Sequence, residues 1–185
     1  EVFFTDVRVP DAYRVGDIGE GWKVALTVLG FERGSSNGSS RVGGNWAQAK
    51  GLAQHLGVTS DPVVRDDLAR LYSQYRIMAL NNQRVAAQTK AGQAPGPEGS
   101  ISKMIWVKSM NLMSDVITKI LGPRITADTG EWGTYDWNEH LLGAPGYRIA
   151  GGSDEIQRNI VGERVLGLPG EPRTDKNVPF KDIPK

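Results

Sequence analysis

Between Ile101 and Leu121 the chain reads ISKMIWVKSMNLMSDVITKIL, twenty-one residues with neither proline nor glycine and apolar around much of a helix's girth. A helix of that kind cannot rest on a surface with one side in water. It needs neighbours in several directions, so this segment predicts a helical bundle with itself near the centre. Gly122-Pro123 ends it, because proline cannot continue the hydrogen-bond ladder.

The neighbours are legible upstream. GWKVALTVLGFERG places Trp22, Leu26, Leu29 and Arg33 on one side at helical spacing, and Trp46, Ala49, Ala53 and Leu56 repeat the pattern, with Gly57 as a left-handed stop. Between them GSSNGSSRVGG has a linker's composition, and the expectation is one helix with a break there. Asp61 is a capping residue and Pro62 suits the first helical position. Leu68, Leu71, Tyr72, Tyr75, Met78 and Val85 then trace one face to about Gly92. AGQAPGPEGS is a loop. Residues 122–152 carry little regular pattern beyond a short turn around Trp137 to Leu142.

At the front, EVFFTDVRVP is β-branched and aromatic up to Pro10 and reads as a strand. It opens as if in mid-domain, so the chain is expected to be part of something longer. The predicted architecture is all-α: an antiparallel helical bundle preceded by a remnant β-strand. Residues 1–19 form the strand and linker, 20–168 a four-helix bundle, and 169–185 a proline-rich tail.

Composition removes several function classes. The net charge is +1, from 22 basic and 21 acidic residues, so no polyanion affinity and no nucleic-acid partner is expected. There is no cysteine, and His55 and His140 stand far apart, which argues against a zinc site and leaves no metal expected. No run approaches the roughly 18 apolar residues of a spanning helix, so no membrane partner is expected. Zero cysteine fits a cytoplasmic location.

The segment 150–169, AGGSDEIQRNIVGERVLGLP, reads as the start of another helix. Ser153 is a good N-cap, and Asp154 and Glu155 suit the positive end of the helix dipole. Ile156, Ile160 and Val161 make an apolar stripe, and Arg158 is expected to pair with Asp154 at i, i+4. Gly151-Gly152 lead in where a residue with a Cβ would give a stiffer chain, which suggests that a ligand or another backbone comes close.

GGSDEIQRNIVGERVLGLP is similar to the C-terminal signature of acyl-CoA dehydrogenases. VFFTDVRVP resembles the last strand of that family's middle β-domain, and GEGWKVALTVLGFERG the start of its C-terminal bundle. DPVVRDDLARLY and PGPEGSISK resemble the bacterial branch. The resemblance spans nearly the whole chain and implies FAD, an acyl-CoA substrate and α,β-desaturation of its thioester. In that reaction a carboxylate removes the α-proton while the β-hydride passes to the flavin. It further implies a homodimer or tetramer and an electron-transferring flavoprotein as acceptor.

Two departures accompany it. LGVTSDPVVRDD and LGPRITADTGEWG stand where the family carries its Phe-Gly and Gln-x-x-Gly-Gly-x-Gly elements. Many members also place the catalytic Glu immediately before the Gly-Ser pair of the signature, where this chain has Gly151, and α-proton abstraction needs a positioned carboxylate. In a second subgroup the base lies on the first helix of the domain, followed by Arg. That place here is GFERG, so the resemblance implies Glu32 as the base. Val28, Leu29 and Phe31 would raise its pKa by desolvation, against the opposing charge of Arg33. Arg33 would orient the acyl-CoA, while Gly151 and Gly152 would line the thioester pocket and supply a backbone N–H to its carbonyl. Ser153, Asp154 and Glu155 match positions that touch FAD, with Ser153 and the main chain expected to carry the contact. The other reading is a non-catalytic subunit of a heteromer that completes another chain's flavin site.

Overall fold

The computed structural model describes residues 2–34, 44–94, 96–131, 134–172, 175 and 178–183, of whose side chains Glu32, Arg33, Gly34, residues 134–136 and Phe180 are left undescribed. Among the described residues six α-helices follow one another: α1 (Gly21–Gly34), α2 (Trp46–His55), α3 (Pro62–Lys90), α4 (Gly99–Leu121), α5 (Thr134–Gly143) and α6 (Asp154–Ile160). α6 runs straight on into a π-turn, Val161–Val165.

Their ends are built as the residue types dictate. Asn45 caps α2 through a full capping box with Gln48, and Gly57 stops it at φ +69°. The Asp61 carboxylate accepts from the Val63 amide at 2.7 Å, with Pro62 in the first turn of α3. The predicted break at 34–44 falls almost wholly outside the described residues.

α4 is the hub, touching every other helix as well as the 3-10 turns Gly122–Thr126 and Ala144–Arg148. The core joins Leu52 of α2 and Leu68 and Leu71 of α3 to Met113, Val116, Ile117 and Leu121 of α4, with Ile125 and Trp137 closing one end. α3 and α4 run antiparallel. Asp67 meets Lys119, Gln74 reaches the Ile105 carbonyl, and Asn81 donates to Ser102, each step along one helix matched by a step back along the other. Beyond Gln74 no residue of α3 is fully buried, so its second half overhangs the core.

Three expectations need correction. Among the described residues no strand forms: residues 2–9 are exposed and irregular, since a strand needs a partner for its amides and none of the described segments offers one. Residues 134–148, expected to hold little more than a turn, make α5 and a following 3-10 turn. The α6 stripe also differs. Ile156 is 54% exposed, whereas the polar Gln157 is 1% exposed.

Candidate functional site

Gly151 and Gly152 take φ +65° and +96°, the left-handed region that glycine enters without a Cβ penalty. Two interior side chains grip this turn by its carbonyls. The Gln157 Nε2 donates to the Gly151 oxygen at 2.8 Å, and the Lys103 ammonium on α4 donates to the Gly152 oxygen at 2.8 Å. A Cβ on Gly152 would fall 2.5 Å from Gln157 Nε2, while one on Gly151 would meet nothing within 4 Å. The close neighbour at Gly152 is therefore a side chain from within the chain. The outer side of Gly151 is open.

Ser153 caps α6, its hydroxyl accepting from the Ile156 amide at 3.4 Å. Asp154 turns inward. Its carboxylate meets Lys103 at 3.4 Å and the Arg148 Nε at 3.0 Å, tying α6 to α4 and to the Ala144–Arg148 turn. Burial pushes that carboxyl up, but the hydrogen bond from Arg148 and the charge of Lys103 hold it below its ordinary range. Glu155 stays exposed, its carboxyl lowered chiefly by its own backbone amide and then by the Ser153 hydroxyl. Arg158 lies 3.8 Å from Glu155 at i, i+3, in place of the pairing with Asp154 expected from the sequence, because Asp154 is engaged on its other side.

Glu32 and Arg33 lie on the last turn of α1, and their side chains fall outside the described residues. α1 packs on α4, the same helix whose Lys103 holds the Gly151–Gly152 turn. One support therefore carries both halves of the expected site. The outer side of α1 stays open, with Trp22 at 74% and Phe31 at 64% exposure. Open grooves of about 340 and 520 Å³ lie between α2 and α3 and beside α6, and neither is lined by Gly151, Gly152 or Ser153. No group of acidic or histidine side chains suited to a metal occurs among the described residues, and none of the described helices is long and apolar enough to cross a membrane.

Lys103, Arg148 and Gln157 were not singled out from the sequence. α4 also carries Lys108, Asp115 and Lys119, so one more lysine on it gave no distinct signal for Lys103.

Residues 19–166 match the family model for the acyl-CoA dehydrogenase C-terminal domain. The chain is 35% identical over 177 residues to the acyl-CoA dehydrogenase IpdE1 of Mycobacterium tuberculosis, covering 92% of this chain and 44% of the relative. It is 34% identical to IpdE1 of Mycolicibacterium smegmatis, covering 92% and 43%. A solved structure described as the Tcur3481-Tcur3483 steroid ACAD superposes with a TM-score of 0.76 at 25% identity, over 91% of this chain and 45% of that one. A glycine-to-alanine variant of it gives 0.74 at 27% identity, over 91% and 46%. This chain belongs to the acyl-CoA dehydrogenase family and carries its C-terminal helical domain. It spans less than half the length of these relatives. The family is one of oxidoreductases that normally bind FAD.

The residues at the turn accord with such a cofactor in part. The Gly152 and Ser153 amides donate to nothing among the described residues. The Asp154 carboxylate, committed to Lys103 and Arg148, is not available to it.

Proposed function

We propose that the chain is the C-terminal part of an FAD-dependent acyl-CoA dehydrogenase in which Glu32 is the base. The observation that carries this reading is the left-handed Gly151–Gly152 turn within the signature segment, whose carbonyls are tied inward and whose Gly152 and Ser153 amides have no acceptor among the described residues. A glycine at 151 leaves room where many relatives carry a carboxylate. The base then reaches the site from α1, which rests on the same helix α4.

In this reading Glu32 takes the α-proton of the thioester, and the electron pair left behind forms the α,β double bond. FAD, when bound, accepts the β-hydride. An amide of the Gly151–Gly152 turn donates to the thioester carbonyl as negative charge develops on it, and Arg33 orients the acyl-CoA. Ser153 and the main chain beside it contact the cofactor, while Asp154 and Glu155 point aside. The functional unit is a homo-oligomer passing electrons to an electron-transferring flavoprotein, and it works in the cytoplasm. A steroid-bearing acyl group is the favoured substrate class, supported by the neighbour described as a steroid ACAD.

The test uses the full-length parent protein loaded with FAD, mixed without oxygen with a panel of acyl-CoAs, and followed by flavin absorbance. Wild type bleaches, and Glu32→Gln retains flavin but does not bleach. Equal bleaching by both forms would remove Glu32 from the chemistry. A second reading, a non-catalytic subunit of a heteromer, is favoured by Gly151 and by the paired name of that neighbour. It predicts no bleaching by the homo-oligomer and recovery once the companion chain is supplied.

A further inference from the structure

We infer that the groove between α2 and α3 binds a nucleoside phosphate, its base stacked on Trp46 and Tyr72 and its phosphate held by Lys50 and Arg65. This goes beyond the proposed function and does not depend on Glu32 as the base. The groove has a volume of about 340 Å³, at the lower end of sites that hold small organic ligands. Its aromatic wall is fixed from within. The Trp46 ring lies 4.8 Å from that of Tyr72 at 54°, and its Nε1 donates to the Leu68 carbonyl at 3.0 Å. The indole is thereby tied to α3, while Tyr72 stays 44% exposed. A flat base stacks on an open aromatic face of this kind, whatever its identity. Gln54 in the same lining favours adenine, since a carboxamide matches the donor and acceptor side by side on that base's edge.

The cations supply the second half of the site. Lys50 and Arg65 are exposed, both line the groove, and neither is ion-paired among the described residues. No acidic residue is part of that lining. Asp61 caps α3, Asp67 binds Lys119 and Arg70, and Asp66 lies off the lining. The whole chain carries a net charge of only +1, so two such cations beside one aromatic pair are a local feature. The Lys50 ammonium rests 5.5 Å from the centre of the Trp46 ring. A cation–π contact at an exposed position is weak. A base settling on the indole displaces the ammonium, which then meets the phosphate in a stronger, charge-assisted contact. A free nucleotide and the nucleotide end of a larger molecule offer this same chemistry.

The experiment uses the full-length parent protein, with and without FAD, and 2-azido-ADP as a photoprobe. Light attaches the probe to whatever its base touches, and trypsin releases residues 42–50 and 71–76 as separate peptides carrying Trp46 and Tyr72. Both peptides are expected to carry label. Labelling suppressed by coenzyme A assigns the groove to the nucleotide end of a substrate, and labelling confined to the FAD-free protein assigns it to that of the cofactor. Labelling that survives both assigns it to a free nucleotide. The ADP concentration that halves labelling of the Trp46 peptide measures affinity at this groove alone. It rises roughly tenfold in Lys50→Gln and in Arg65→Gln, the scale of one charge-assisted bond, and by a similar factor in Tyr72→Ala through lost stacking. Arg76→Gln, one turn beyond Tyr72 and off the groove lining, leaves it unchanged.

No label on either peptide, in either form of the protein, would overturn the inference. So would equal losses in Arg65→Gln and Arg76→Gln, which would make the attraction a general effect of charge on α3. An affinity untouched by Tyr72→Ala would remove the base from the aromatic wall and overturn it as well. None of these readouts involves flavin bleaching, so they decide the groove whether or not Glu32 is the base.

Discussion

Alanine at Gly152 should cost more than alanine at Gly151, and the gap can be worked from the turn itself. Both glycines lie at positive φ, +65° and +96°, so either substitution forces an L-residue into the left-handed region at roughly 1–2 kcal/mol. At Gly151 the new methyl meets open space, and that strain is the whole cost. At Gly152 the methyl falls 2.5 Å from Gln157 Nε2, so the carboxamide must withdraw from the Gly151 carbonyl. Losing that bond in a buried setting adds roughly 1 kcal/mol. The expected totals are about 1–2 kcal/mol for Gly151→Ala and about 2–3 kcal/mol for Gly152→Ala. Urea titrations of the full-length parent protein, followed by tryptophan fluorescence, measure both. The decisive comparison repeats the pair in a Gln157→Ala background, where the gap should close because the clashing group is gone. Equal costs in the wild-type background, or a gap that survives the loss of Gln157, would refute the reasoning.

Two further outcomes concern the scaffold. The His140 ring is fully buried, with its Nε2 bonded to the Met110 carbonyl at 3.0 Å, and burial lowers its pKa below 6.5 despite that bond. The neutral ring is therefore favoured in the fold. Its contribution to stability is complete above pH 6.5 and is lost as pH falls from there through the folded pKa. Urea midpoints at pH 7.5 and 5.0 should separate more in wild type than in His140→Leu, and identical separations would show that this ring carries none of the acid sensitivity. Gly44→Ala should destabilise by roughly 1–3 kcal/mol through overpacking, because its Cβ would overlap the Trp137 ring in the core, and a neutral result by thermal unfolding would contradict that packing.

Much of the bundle could be read from residue pattern because its signals are local. The Asp61-Pro62 start, the Gly57 stop and the apolar girth of α4 each express physics confined to a few neighbouring residues, and each appears where the sequence puts it. α5 was harder. Its inward side is Trp137, His140 and Leu141, and a histidine does not advertise burial. The α6 stripe misled for a related reason: Gln157 is interior because a carbonyl six residues back needs its amide, a demand hydropathy cannot express. At the site, the need for glycine at 151 and 152 was legible, but the groups that fix the turn were not. Lys103 lies about fifty positions upstream of Asp154, and no spacing rule joins residues so far apart. Glu32 was reached through family resemblance alone.

α1 has a consequence for how activity would be controlled. It is the helix proposed to carry the base, yet of the described helices it rests on α4, leaving Trp22, Val28 and Phe31 facing outward. In the proposed reading, a second surface seated on that apolar side would hold the helix that carries the base. Proton abstraction would then be licensed by docking, so that an unassembled chain holding acyl-CoA stays chemically silent and enolate formation waits until a flavin wall is there to receive the hydride.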